Sequence, residues 1–280
     1  MPPPRRVVHV AHSPDSDDAF MFYALAAGRV DTDGLEYVHE LQDIETLNQR
    51  ALRGELEVSA VSIHAYAYLA DRYALLPHGS SMGDRYGPRI VASEPCTRAQ
   101  LAGARVAVPG RLTTAYLAAR LYQPAFEAVE TPFDQIEDAV LSGNVDAGVL
   151  IHEGQLTYAD RGLHLVADLG EWWFGETGLP LPLGGNVVRK DLGPELVSRI
   201  SKHLRESIAY GLEHRDEALT HALQYARGLT RERADTFVGM YVNEWTLAYG
   251  EVGRQAVRDL LARGTAANII PHEVRVEFAD

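Results

Sequence analysis

Between Ala104 and Glu153 the chain reads "ARVAVPG", "RLTTAYLAARLYQPA", "FEAVETP", "FDQIEDAVLSGN" and "VDAGVLIHE". Short runs rich in valine and alanine alternate with longer segments whose apolar residues recur at helical spacing, and glycine or proline marks most joints. The order is strand, helix, strand, helix, strand, which predicts a parallel sheet with helices on its faces.

The same alternation continues outward from this block. Upstream, "RVVHVAH" reads as a strand, "DAFMFYALAAG" as a helix capped by an aspartate and closed by Gly28, and "LEYVHEL" as a second strand. "DIETLNQRALRGE" is an amphipathic helix with Ile44, Leu47, Ala51 and Leu52 on one face. "LEVSAVSIHAYAYLA" runs from a short strand through a serine-rich turn into an apolar helix, and "YALLPHG" and "GPRIVAS" complete a first sheet. Downstream, "GLPLPLGGNVVRKDLG" reads as a segment crossing back to the first lobe. Beyond it Leu196, Ile200, Leu204 and Ile208 recur every four residues, and these C-terminal helices are predicted to pack on the first lobe. The expectation is an α/β fold of two lobes, each a sheet flanked by helices, with a ligand cleft between them. Residues 1–93 plus 184–280 form the larger, discontinuous lobe, and residues 94–183 the smaller one.

Composition narrows the class. The 280 residues are 46% apolar, enough for real cores. Lysine and arginine total 26 against 39 acidic residues, a net charge of −13, which lacks the basic footprint of a nucleic-acid or anionic-membrane binder. The opening "MPPPRRVVHVAHSPDSDD" is too short in apolar residues for a secretion signal, and no stretch approaches the roughly 20 apolar residues of a membrane span. A cytoplasmic location is expected. The single cysteine, Cys96, excludes an intramolecular disulfide and a cysteine-based zinc cluster.

Four strand-to-helix turns could face a ligand. In "HSPDSDD", the residues Ser13, Asp15, Ser16, Asp17 and Asp18 fit a helix cap, a direct substrate contact or an oxygen-ligated metal, although no glutamate follows at calcium-loop spacing. "SAVS", Ser59 to Ser62, offers hydroxyl and backbone N–H groups to a carboxylate or hydroxyl, or an N-cap at Ser62. In "VPGRLTTAY", Gly110 relieves the turn and Thr113 and Thr114 open a helix, one as a cap and the other available to a carboxylate or sugar hydroxyl. The phosphate-loop pattern is absent there. In "AGVLIHEG", His152 ends an apolar strand, as a structural residue or as a general base. No histidine spacing indicates zinc, and neither a nucleophile elbow nor a dinucleotide fingerprint occurs. Arg89 and Arg111 are candidates for a substrate carboxylate or for solvated charge, and Trp172, Trp173 and Phe174 for packing or for stacking on a ligand.

The segments "HSPDSDDAFMFYAL", "AVPGRLTTAYL", "GVLIHEGQLTYADRGL", "DLGEWWFGETGLPLPLGGNVVRKDLG" and "MYVNEWTLAYGEVGRQAVRDLLARG" resemble, in the same order, those of the 1,4-dihydroxy-6-naphthoate synthases of the futalosine route to menaquinone. That family is similar in fold to the type II periplasmic solute-binding proteins. The resemblance implies a cofactor-independent lyase acting on cyclic dehypoxanthinylfutalosine, with no cofactor and no metal. It also implies a catalytic base at His152 and substrate contacts at Ser59, Ala60 and Val61 and at Thr113 and Thr114. The implied partner is a small-molecule carboxylate substrate, with neither nucleic acid nor membrane, and a homodimer is compatible with it. A solute-binding receptor and chorismate dehydratase, which shares the fold, are the competing readings.

Overall fold

A computed structural model of the chain describes residues 6–226 and 229–280. The backbone divides into two compact units. The first comprises the described residues of Met1–Ser81, Gly184–Gly250 and Arg275–Asp280, and the second Met82–Leu183 and Glu251–Val274.

The first unit is built on β1 (Arg6–His12), β2 (Leu35–Leu41), β3 (Val58–Ser62) and β4 (Tyr73–Leu75). The chain passes into the second unit through β5 (Ser81–Gly83), which is followed by β6 (Arg89–Ala92), β7 (Arg105–Val108), β8 (Glu127–Glu130), β9 (Ala147–Leu150) and β10 (His164–Asp168). It returns along β11 (Leu181–Arg189).

In the first unit the strand order is β2-β1-β3-β11-β4. β1 runs parallel to β2, from Arg6 opposite Leu35 to His12 opposite Leu41, and parallel to β3. β11 enters antiparallel between β3 and β4. Val8 and Val10 of β1 pack with Phe20 and Phe22 and with Leu196, Ile200, Leu204 and Ile208 of the helix Pro194–Glu213, so the four-residue repeat lies on the core as expected. The expected helix after β1 is two short ones, Ser16–Met21 and Tyr23–Ala26, the second followed by Gly28 at φ +65°.

The second unit's sheet has the order β10-β6-β9-β7-β8, with β7 parallel to β8 and β9 and with β6 antiparallel to β9 and β10. The helices Thr114–Tyr122 and Ile136–Leu141 connect its parallel strands. Gly148 in β9 is needed for close packing, because a Cβ there would stand 2.4 Å from Ile136 Cγ2.

The division differs from the expected lobes at two points. "GPRIVAS" forms β6 in the second sheet, where its backbone pairs with β9 and β10. The last long helix, Gly250–Ala266, also belongs with the second unit. Its buried stripe of Gly253, Ala256, Val257, Leu260, Leu261 and Gly264 brings Arg263 over the Trp173 ring and packs Gly264 against Leu117 and Ile270. A run of apolar residues states that a face is covered, not which sheet covers it. Among the described residues no helix is long and apolar enough to cross a membrane.

Candidate active site

In the first unit Ala11 of β1 lies opposite Ser59 of β3, so His12 and Ser62 end adjacent parallel strands on the same side of the sheet. Carboxyl ends of parallel strands are where ligands of α/β folds usually bind. The turn after β1 is tied inward. Ser13 Oγ donates to Asp15 Oδ2 at 2.6 Å, and the Ser13 N–H donates to Asp18 Oδ2 at 2.7 Å. Asp15 occupies the N-cap position of the helix Ser16–Met21, yet its side chain makes no capping bond. Asp15 and Asp18 therefore brace the turn that precedes the helix. No group of three or more His, Cys, Asp or Glu side chains arranged to hold a metal occurs among the described residues.

His12 carries the most perturbed environment here. It is buried, its ring stacks on Phe22 at 4.3 Å, Nδ1 lies 3.0 Å from the Ser13 carbonyl, and Nε2 lies 3.2 Å from His39 Nδ1. The carbonyl can only accept, so His12 Nδ1 carries the proton and Nε2 accepts from His39. Burial, reinforced by His39, pushes its pKa down from 6.5 to about 3, and burial lowers those of His39 and His221 as well.

"SAVS" lies within β3 rather than in the turn. Ser59 is fully buried with its hydroxyl donating to the Ala60 carbonyl, Val61 is fully buried, and Ala60 is 7% exposed. Ser62 precedes the helix Ile63–Tyr66 and is held by Asn48, whose Oδ1 accepts the Ser62 N–H at 2.9 Å and whose Nδ2 donates to Ser62 Oγ at 3.2 Å. Asn48 is fully buried. Its signal in the sequence is a polar residue four positions after Ile44, on the face that otherwise points to the core. Asn48→Ala leaves the buried Ser62 N–H without this acceptor and is expected to lower stability by about 1–3 kcal/mol in urea unfolding. An unchanged midpoint would show that the pair contributes nothing.

In the second unit the turn after β7 passes through Gly110 at φ +151° into the helix Thr114–Tyr122. Thr113 is the cap: its Oγ1 accepts the Tyr116 N–H at 3.2 Å and donates to the Gly110 carbonyl at 2.7 Å. Of the two threonines, one of which is expected to be available to a ligand, Thr114 donates its Oγ1 hydrogen to the Leu183 carbonyl at 2.6 Å. The helix start itself remains an electropositive element.

His152 stands on the turn after β9, half-buried, with Phe133 edge-on at 4.7 Å between ring centroids. Its φ is +57°, a left-handed conformation uncommon in a residue with a Cβ. Such strain is retained where the surroundings over-determine it, often at functional positions. Of the two candidate arginines, Arg111 forms an exposed pair with Glu130 at 2.6 Å. Arg89 instead reaches Asp168 Oδ2 at 3.3 Å and the Gln155 carbonyl at 2.5 Å, while burial raises the pKa of Asp168. Trp173 is a core residue whose indole N–H donates to the Pro180 carbonyl, and Trp172 stands edge-on to Tyr122.

Residues 8–266 match the profile of a family described by its role in menaquinone biosynthesis. The chain belongs to the menaquinone-biosynthesis family. Two curated relatives carry the name "1,4-dihydroxy-6-naphtoate synthase". The one from Thermus thermophilus is 44% identical over 97% of this chain and 98% of its own length. That from Streptomyces coelicolor is 39% identical over 94% and 95%. A crystallised protein of Archaeoglobus fulgidus superimposes with a TM-score of 0.91 at 50% identity, over 94% of this chain and 98% of that one. The fold of this menaquinone-biosynthesis protein is that of the periplasmic binding proteins. A Candida albicans protein described as having the generic form of that fold matches with a TM-score of 0.68 at 14% identity, over 97% and 98%.

Proposed function

We propose that the chain is a 1,4-dihydroxy-6-naphthoate synthase, a lyase that converts cyclic dehypoxanthinylfutalosine to the naphthoate without a cofactor, in the cytoplasm. The observation that carries the function is the likeness to two relatives of that name across nearly their whole lengths. The role of His152 rests on its left-handed position at a strand end, imidazole being the side chain used most often as a general base.

In this reading His152 abstracts a proton from a hydroxyl of the cyclised sugar, and the oxygen's electrons close a carbonyl as the neighbouring carbon–carbon bond breaks. That bond's electron pair passes into the ring that becomes aromatic, and the small sugar-derived fragment leaves carrying the new carbonyl. The substrate carboxylate calls for N–H donors and partial positive charge, which suits the helix start at Thr113 and Thr114. Ser59, Ala60 and Val61 complete the proposed substrate-binding set. The Ser59 and Thr114 hydroxyls donate within the fold, and Ser59 is paired in β3 between β1 and β11, so Ala60, at 7% exposed, is the least buried residue of the Ser59–Val61 run.

The deciding experiment incubates the purified protein separately with cyclic dehypoxanthinylfutalosine and with chorismate. Appearance of the dihydroxynaphthoate from the first is the expected result. Tight binding without turnover would make the chain a receptor, and turnover of chorismate alone would make it a dehydratase.

A further inference from the structure

We infer that Arg89 is a positioning residue for the reaction, acting through His152: it grips the turn that keeps the imidazole in its left-handed conformation. The inference rests on the reading of His152 as the base and extends it to the machinery that holds the base in place.

Arg89 opens β6 directly opposite Leu150, the last residue of β9 and two positions before His152. From this neighbouring strand its guanidinium makes three contacts. Nη1 donates to the Gln155 carbonyl at 2.5 Å, the planar group lies over the Tyr158 ring at 5.4 Å, and Nε donates to Asp168 Oδ2 at 3.3 Å. Gln155 is itself closed onto the turn, because its N–H donates to the His152 carbonyl at 3.2 Å. Asp168 is fixed from its other side, its Oδ1 accepting the Gly170 and Glu171 N–H groups at 3.0 and 3.2 Å as the cap of the helix Leu169–Thr177.

These bonds form one continuous brace: helix start, Asp168, Arg89, Gln155 carbonyl, His152 carbonyl. The residues that follow His152 are therefore held by Arg89, while β9 holds those that precede it. The side chains of Arg89 and Asp168 are 23% and 8% exposed, so the pair is no solvated surface contact. A charged donor on a backbone carbonyl is among the stronger hydrogen bonds, and the planar guanidinium serves two acceptors in directions that a lysine cannot match. A left-handed non-glycine residue needs this kind of external determination.

Steady-state kinetics with cyclic dehypoxanthinylfutalosine test the brace through Arg89→Met, Arg89→Lys and Asp168→Asn. Arg89→Met is expected to lower kcat by about 10–100-fold with KM changed less than about 3-fold, since displacement of a reacting group by an ångström has effects of that order. Arg89→Lys should recover part of the loss. Combined with His152→Ala, Arg89→Met should lower the residual rate no further, because a brace has nothing to act through once the imidazole is gone. An unchanged kcat, a loss confined to KM, or a further loss in the His152→Ala background would overturn the inference. Should Arg89→Met fail to fold, Asp168→Asn decides alone: it keeps an acceptor for the helix cap, presents an amide to Arg89, and must show the same kcat loss. His152→Ala by itself separates the two ideas, since its retaining turnover would remove the base and the brace together, whereas a dead His152→Ala beside an unaffected Arg89→Met removes the brace only.

Discussion

Replacing His152 by alanine is expected to lower kcat by about 10²–10⁴-fold, the usual contribution of a positioned general base. Circular dichroism and the urea midpoint should show a folded protein, because the half-buried ring is not a core residue. Glycine at the same position supplies a second, independent reading. Both substitutions remove the imidazole, but only glycine adopts φ +57° without a Cβ clash. His152→Gly should accordingly be more stable than His152→Ala by about 1 kcal/mol, although glycine is the less stable of the two at ordinary positions. The opposite order would show that position 152 carries no backbone strain, and wild-type turnover in either variant would end the base assignment.

The second large effect is on acid stability. His12 has its folded pKa lowered from 6.5 to about 3, so over this interval the unfolded chain binds a proton that the native state refuses. Stability from this residue is complete above about pH 6.5 and falls with decreasing pH by about 1.4 kcal/mol per unit, a loss of about 4–5 kcal/mol by pH 3. Protonation would place a second N–H on His12 against the donor on His39. His39 and His221 also disfavour the charge, and Asp15 only partly offsets them. Unfolding free energies from urea curves at pH 8, 7, 6 and 5 should rise with pH below 6.5. A flat profile from pH 7 to 5, or an NMR titration of His12 near 6.5, would contradict the assignment.

The parts of the fold that repeat at short range were legible from the residues alone. β7, the helix after Thr113, β8 and β9 fall where the alternation predicts them, as does the buried stripe from Leu196 to Ile208. What escaped were choices between distant partners. "GPRIVAS" reads equally well as a strand of either sheet, and the stripe on the helix Gly250–Ala266 is compatible with either unit. The same limit applied to the candidate site. His152 could be singled out because a histidine at the end of an apolar strand is chemically conspicuous. The role of Arg89 depends on partners 66 and 79 residues away, and no local pattern reports them. The aspartates after His12 misled because capping is the commonest use of their position, and here a serine competes for both carboxylates.

The interleaved ownership of the chain has a consequence for its birth on the ribosome. β11 must arrive before the first sheet can join β3 to β4, and β4 is edged by a still later segment, where the Leu75 N–H donates to the Glu277 carbonyl at 3.0 Å and its carbonyl accepts from Ala279 at 2.8 Å. The second unit likewise awaits the helix Gly250–Ala266. Neither half can be finished before the segment from Gly250 to Ala279 has emerged, so a chain cut ahead of that segment loses part of both halves at once. Sequential, unit-by-unit folding during translation, the usual route for multidomain chains, is closed to this one.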